Sequence, residues 1–241
     1  MTIAVVFALN AEWAPWRSRH AFHSVAAGRP TVHEGSVGRS SARVASSGVG
    51  APHARQLIDV LCAGRVDAVL AAGLAGALRA PCRCGDVIVA RRAQSASSGS
   101  FIASDARLVA VASQCGATVV DVLLSVDRVA GRAEEKRRLA ARGDAVDMES
   151  FRILEEAERR GIPSVAIRVI GDSADEALPL DFDQAVGADG TVNLMNLAGQ
   201  VVRAPSRWPA LISFGYRQRR AVRALAGFLD RFVDTLGASP E

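Results

Sequence analysis

Short β-rich runs alternate with stretches of helical spacing along most of the chain, and this alternation constrains the fold more than any other feature. It predicts an α/β protein built on a sheet. Strands are expected at residues 3–9, 43–47, 68–72, 86–90, 118–126 and 164–170, and helices at 54–62, 108–115, 132–142 and 150–160. In the first of these helices Leu57, Ile58 and Leu61 share one face. The last is closed by Gly161 and Pro163. Residues 132–142 are so strongly charged that they read as a solvated face. Beyond Asp172 the character changes. Residues 174–209 carry Pro179, Pro205, Pro209, several Gly and an "ADGTVN" turn, and read as a long, partly ordered excursion. Val222, Leu225, Phe228, Leu229, Phe232 and Leu236 then recur as one amphipathic stripe. With no repeat, low-complexity tract or interdomain linker, residues 1–241 read as a single domain with an extended C-terminal segment from about residue 185.

Composition excludes several classes of function. An apolar fraction of 49% and a charged fraction of 22% are those of a soluble globular protein. A net charge of +4 calls for no nucleic-acid partner. The basic residues are Arg throughout, apart from Lys136. Cys82-Arg83-Cys84 lacks the two-residue gap and the second ligand pair of a zinc site, so neither a metal nor a cofactor is expected. Together with Cys62 and Cys115 these read as thiols in a reducing cytoplasm. The N-terminal "MTIAVVFALNAEW" has no basic stretch before it and Glu12 inside it, unlike a signal peptide. No apolar run approaches the roughly 20 residues of a membrane span. A cytoplasmic protein is expected.

Two Gly-rich stretches follow predicted strands. "SGVGAPH" has Gly48 and Gly50 but His53 where a dinucleotide fingerprint needs its third Gly, which favours a tight strand-to-helix turn. "AAGLAGALR" contributes Gly73 and Gly76, where backbone can approach closely. Both are candidate pocket walls, since ligands of open α/β sheets sit at the carboxyl ends of strands. More informative are three acids that follow apolar runs: Glu12, Glu149 and Asp172. Each alone reads as a cap or a surface position. Jointly they suggest carboxylates converging on one cleft.

The order Glu12, "SGVG", "AAGLAGAL", "CGDVIVA", "AVDMES", "AIRVIGDSAD" resembles the nucleoside phosphorylase/nucleosidase superfamily. In layout it is most similar to the 5′-methylthioadenosine/S-adenosylhomocysteine nucleosidases, from Met1 to about Asp183. The resemblance implies a three-layer α/β fold with a mixed, twisted central sheet flanked by helices, a homodimer, and a small nucleoside as partner. It also implies roles. Asp172 would protonate or hydrogen-bond N7 of the leaving purine, and Glu12 would activate the attacking water. Glu149 would hold the ribose hydroxyls, with Met148 against the sugar and Arg168 nearby. Gly50, Gly73, Leu74 and Val129 would border the substrate. No Gly-Asp…Arg phosphate loop lies near residues 9–13, and Glu12 would repel phosphate, which favours hydrolysis over phosphorolysis.

The sequence also departs from those nucleosidases. Leu74 stands where they have a substrate-touching Ser, Val129 where they have a purine-stacking Phe, and "RRAQSASSGS" lacks their aromatic and acidic residues. The tail from "GADGTVN" to "AGFL" resembles the hopanoid-biosynthesis-associated branch, which implies adenosylhopane as substrate and ribosylhopane as product. On that reading Trp208, Leu211, Ile212, Phe214 and Tyr216, with Arg207, Arg217, Arg219 and Arg220, form a greasy entrance in transient contact with a membrane surface. The duller reading of the tail is a helix packed on the sheet. The alternatives to adenosylhopane cleavage are a methylthioadenosine/S-adenosylhomocysteine nucleosidase, a phosphate-dependent phosphorylase, and a catalytically silent nucleoside-binding protein.

Overall fold

A computed structural model describes residues 1–25, 30–80, 82–187, 189–203 and 205–238, with Leu194 described by its backbone alone. In chain order the strands are β1 (Thr2–Phe7), β2 (His23–Ser24), β3 (His33–Val37), β4 (Ser40–Ser46), β5 (Ala68–Ala77), β6 (Val87–Ser95), β7 (Phe101–Ala103), β8 (Thr118–Ser125), β9 (Ala145–Asp147) and β10 (Ser164–Asp172). The helices are α1 (Asn10–Arg17), α2 (Ala54–Leu61), α3 (Ala106–Gln114), α4 (Ala133–Leu139), α5 (Ser150–Glu158), α6 (Leu194–Arg203) and α7 (Trp208–Ala238).

All the strands join one mixed sheet. β1 lies parallel to both β4 and β5, and β5 lies parallel to β10. Beyond β5 the sheet curls. β10 pairs antiparallel with β6, β6 runs parallel to β8, β8 to β9, and β9 returns antiparallel to β5. Five strands therefore close on themselves, and the expected twisted sheet is half open and half ring.

Strand periodicity builds the three layers. In β1, Ile3, Val5 and Phe7 face one core while Ala4 and Val6 face the other. In β5, Ala68, Leu70 and Ala72 join the first core, and Val69 and Ala71 the second. Burial on both faces is why these strands read as nearly continuous apolar runs. The first core is covered by α1 through Trp13 and Trp16, by α3, and by the α7 stripe Leu225, Phe228, Leu229, Phe232 and Leu236. The second is covered by Leu57, Ile58 and Leu61 of α2 and by Ile153, Leu154 and Ala157 of α5.

Several boundaries differ from expectation. β5 runs five residues past the expected end, so Gly73 and Gly76 lie within a strand and not in a turn after it. β6 likewise extends through "RRAQS". The expected first strand stops at Phe7, and Glu12 stands in the first turn of α1. The excursion after Asp172 contains α6, and α7 begins at Trp208, ahead of the apolar stripe that signalled it. α4 is not simply a solvated face. Lys136 is wholly buried there, between exposed Glu134, Glu135, Arg137 and Arg138. Among the described residues no helix is long and apolar enough to cross a membrane.

Candidate active site

The carboxyl ends of β1, β5, β9 and β10 meet around a cavity of about 180 Å³. Glu12, Leu74, Val129, Met148, Glu149 and Asp172 all line it, together with Leu9, Val49, Val126, Val146, Asp147 and Leu178. Six candidate residues from five separate stretches of sequence thus line one cavity. Three larger chambers open beside it. One of about 340 Å³ and one of about 400 Å³ share Val126 and Met148 with it, and one of about 650 Å³ shares Val129 and Leu178. Gly50 borders the second of these chambers.

Glu12 is held by backbone. Its Oε2 accepts hydrogen bonds from the N–H groups of Ala8 (2.9 Å) and Leu9 (3.0 Å), and its Oε1 from that of Leu74 (2.9 Å). Burial raises its pKa against the opposing pull of Arg168 and these three donors. Two residues along β5 from Leu74, a Cβ on Gly76 would stand 3.0 Å from Asp172 Oδ2. The Glu12 and Asp172 contacts are therefore spaced roughly 7 Å apart along one strand.

Behind the cavity wall lies a buried charge cluster. The Arg168 guanidinium, on β10, is 2.6 Å from Asp147 Oδ2 and 3.4 Å from Glu149 Oε2. It also donates to Ser150 Oγ at 3.0 and 3.1 Å. Arg168 is thus adjacent to Glu149 but does not itself line the cavity. Burial disfavours its charge, yet Asp147, Glu149 and Glu12 outweigh this and raise its pKa. Glu149 Oε1 accepts from the Gly50 N–H at 2.9 Å, which ties the "SGVG" turn to the site. Burial, with Asp147 and Glu12 nearby and Arg168 opposing, pushes Glu149 up to about 7. Gly73 is required where these charges meet. Its φ is +152°, and a Cβ there would lie 2.5 Å from Arg168 Nη1 and 2.9 Å from Glu12 Oε1.

Asp147 and Ser150 were not singled out by sequence as site residues, although they are the first and last residues of the "DMES" motif. Asp147 Oδ1 accepts from Ser125 Oγ at 2.6 Å and Oδ2 from the Ser150 N–H at 3.0 Å, so it locks β9 to β8 and to α5. Lys136 was also missed. Its ammonium is paired with Asp172 Oδ2. The available signal was its oddity, a lone Lys in an Arg-only chain. Burial raises the pKa of Asp172, and Lys136 opposes the rise.

No curated protein compared shows significant similarity to the sequence. Solved structures do share the fold. A Helicobacter pylori 5′-methylthioadenosine/S-adenosylhomocysteine nucleosidase, solved with butyl-thio-DADMe-Immucillin-A, superposes with TM-score 0.75 at 22% identity, covering 98% of each chain. The native futalosine hydrolase of the same organism gives TM-score 0.74 at 21% identity, again over 98% of each chain. A Neisseria meningitidis methylthioadenosine/S-adenosylhomocysteine nucleosidase in complex with methylthio-immucillin-A gives 0.71 at 23% identity, covering 97% of this chain and 99% of that one. Residues 2–203 match the family model described as the Phosphorylase superfamily, and the chain belongs to that superfamily.

Proposed function

We propose that the protein hydrolyses the N-glycosidic bond of a 5′-substituted adenosine and releases adenine. The observation that carries this reading is the set of three carboxylates, Glu12, Glu149 and Asp172, around one small and otherwise largely apolar cavity. A purine leaves poorly until N7 takes a proton, and the ribose then gains oxocarbenium character. An acid at the base and a second carboxylate holding water at the sugar is the general logic of glycosyl hydrolysis. Asp172 is the acid, the role the family resemblance gives it, and the rise in its pKa on burial is in keeping with that role. Glu12 holds and activates the water. Glu149 accepts the ribose hydroxyls, Met148 packs on the sugar, and Arg168 braces Glu149 from behind. Leu74 and Val129 are apolar walls, and Gly50 and Gly73 let the backbone close around the carboxylates. Acids bordering the cavity disfavour phosphate as the nucleophile. The nucleosidases and the hydrolase that share the fold support the same choice.

Adenosylhopane is our first candidate substrate. In its favour, one wall of the 650 Å³ chamber carries Val129, Leu178, Leu180 and Phe182, with Phe214 of α7 packed on Phe182 at 6.2 Å. Trp208, Ile212 and Tyr216 also form an exposed stripe on α7, suited to transient contact with a lipid surface. Arg217 does not belong to such a surface, being paired with Glu176. A second reading, a small thioether nucleoside, is favoured by the rest of that chamber, which is lined by Arg128, Arg132, Glu134, Glu135, Asp181 and Asp183. A hopane-sized group would take those charged groups out of water at a cost. The family resemblance further suggests a homodimer, which light scattering tests. Adenosylhopane, methylthioadenosine, S-adenosylhomocysteine and inosine, ranked by kcat/KM for base release, separate the readings. A preference for methylthioadenosine removes the hopanoid substrate, and nucleoside binding without base release removes the enzyme.

A further inference from the structure

The chain's sole lysine is spent on one aspartate. Lys136 is wholly buried on a short helix whose other charged residues face solvent. An ammonium has three protons to donate and no acceptor capacity. All three are accounted for: Nζ donates to Asp172 Oδ2, to the Ser173 carbonyl at 2.8 Å and to the Glu176 carbonyl at 2.8 Å. The two carbonyls bracket a turn closed by the Glu176 N–H on Ser173 O at 3.1 Å. The Glu176 side chain is in turn paired with Arg217 of α7. Gln218 Nε2, one residue on, donates to the Gly171 carbonyl at 2.8 Å, next to Asp172 in sequence.

This arrangement occupies one oxygen of Asp172 and leaves the other for a ligand. Among the described residues Oδ1 accepts no hydrogen bond, and Asp172 lines the cavity. We infer that Lys136 is a positioning residue that clamps Asp172 through Oδ2 and so offers Oδ1 to the purine. The inference rests on Asp172 being the group that faces N7. Burial raises the pKa of Asp172, and the nearby ammonium opposes that rise, so the clamp also tunes the carboxyl. The other ionisable groups around Asp172 are Glu176 from the following turn, Arg217 from α7 and the Cys84 thiol. Glu176 and Arg217, paired with each other, pull on Asp172 in opposite directions, and Lys136 is the cation with the larger effect on it.

The test reads the carboxyl directly. Carbon-13 NMR titration of Asp172, assigned with Asp172→Asn, is compared between the wild type and Lys136→Met, with the pH profile of adenine release measured beside it. The Asp172 midpoint is expected to rise by about 1–3 pH units in Lys136→Met, and Lys136→Arg to restore most of the difference. The high-pH limb of kcat/KM is expected to move with it. An unchanged midpoint in folded Lys136→Met overturns the inference. If Lys136→Met does not fold, nitrogen-15 lysine labelling of the wild type still gives a single ammonium signal. That signal should shift and exchange faster in Asp172→Asn, and an unaltered signal overturns the clamp. A shifted midpoint without any adenine release would retain the clamp and remove the nucleosidase reading.

Discussion

Replacing Arg168 by Met removes the cation from a buried cluster while keeping most of the side-chain volume. Arg168 stands 2.6 Å from Asp147 and 3.4 Å from Glu149 and is 1% exposed, so water cannot take its place. Removing one partner of a buried ion pair costs about 3–5 kcal/mol, because the other partner is left uncompensated. With m in urea near 3 kcal/mol/M for a chain of this size, the unfolding midpoint should fall by roughly 1–1.7 M. The loss should also depend on pH. Glu149 titrates at about 7 in the fold, against an ordinary value of 4.5. A raised folded pKa means that its contribution to stability is complete below 4.5 and is lost as pH climbs through 7. Without Arg168 the folded value rises further. Each pH unit between the wild-type and variant values then adds about 1.4 kcal/mol to the variant's deficit. Urea unfolding of both proteins at about pH 6 and about pH 8 measures this; the deficit should be larger at the higher pH by on the order of 1 kcal/mol. A deficit that is constant with pH, or larger in acid, would refute the linked cluster.

Gly73→Ala should destabilise by about 1–3 kcal/mol from the positive φ alone, and more once the new Cβ meets Arg168 and Glu12. Gly99→Ala, also at positive φ but with nothing within 4 Å of its Cβ, is the matched control. Asp172→Asn should abolish base release while sparing nucleoside binding measured by calorimetry, because the amide cannot give N7 a proton as an acid does, while its oxygen can still accept from Lys136; near-normal turnover contradicts its role. Glu12→Gln should lower kcat by about 10²–10⁴-fold with little change in binding, as removal of a general base does. Glu149→Gln should weaken nucleoside binding as well as turnover, and unchanged affinity would remove it from the ribose.

The sheet was legible because each central strand buries both faces, which writes runs such as "IAVVF" and "SVAIRVIG" into the sequence. The ring closure was not. It depends on β9, three residues long, and on β10 pairing two strands at once, and neither leaves a periodic trace. The acids of the candidate site were legible as Glu12, Glu149 and Asp172, since a charge that follows an apolar run is conspicuous. Their partners were not. Asp147 lies two residues before Glu149 in sequence, but only the fold brings Arg168 to both. Lys136 was hidden by its neighbours, because Glu134, Glu135, Arg137 and Arg138 make α4 look uniformly solvated. One inward position per turn of a short helix is too little for a pattern to reveal.

The claim on which the rest depends is that water is the nucleophile at the sugar carbon bearing the base. It is tested by incubating the protein with methylthioadenosine and adenosylhopane in oxygen-18 water, with and without phosphate, and examining the sugar product by mass spectrometry. Adenine should appear at the same rate in both buffers, and the freed sugar should carry one oxygen-18 at the anomeric position. Release that needs phosphate, with a sugar phosphate and no label in the product, would contradict the hydrolytic assignment of Glu12 and make the protein a phosphorylase.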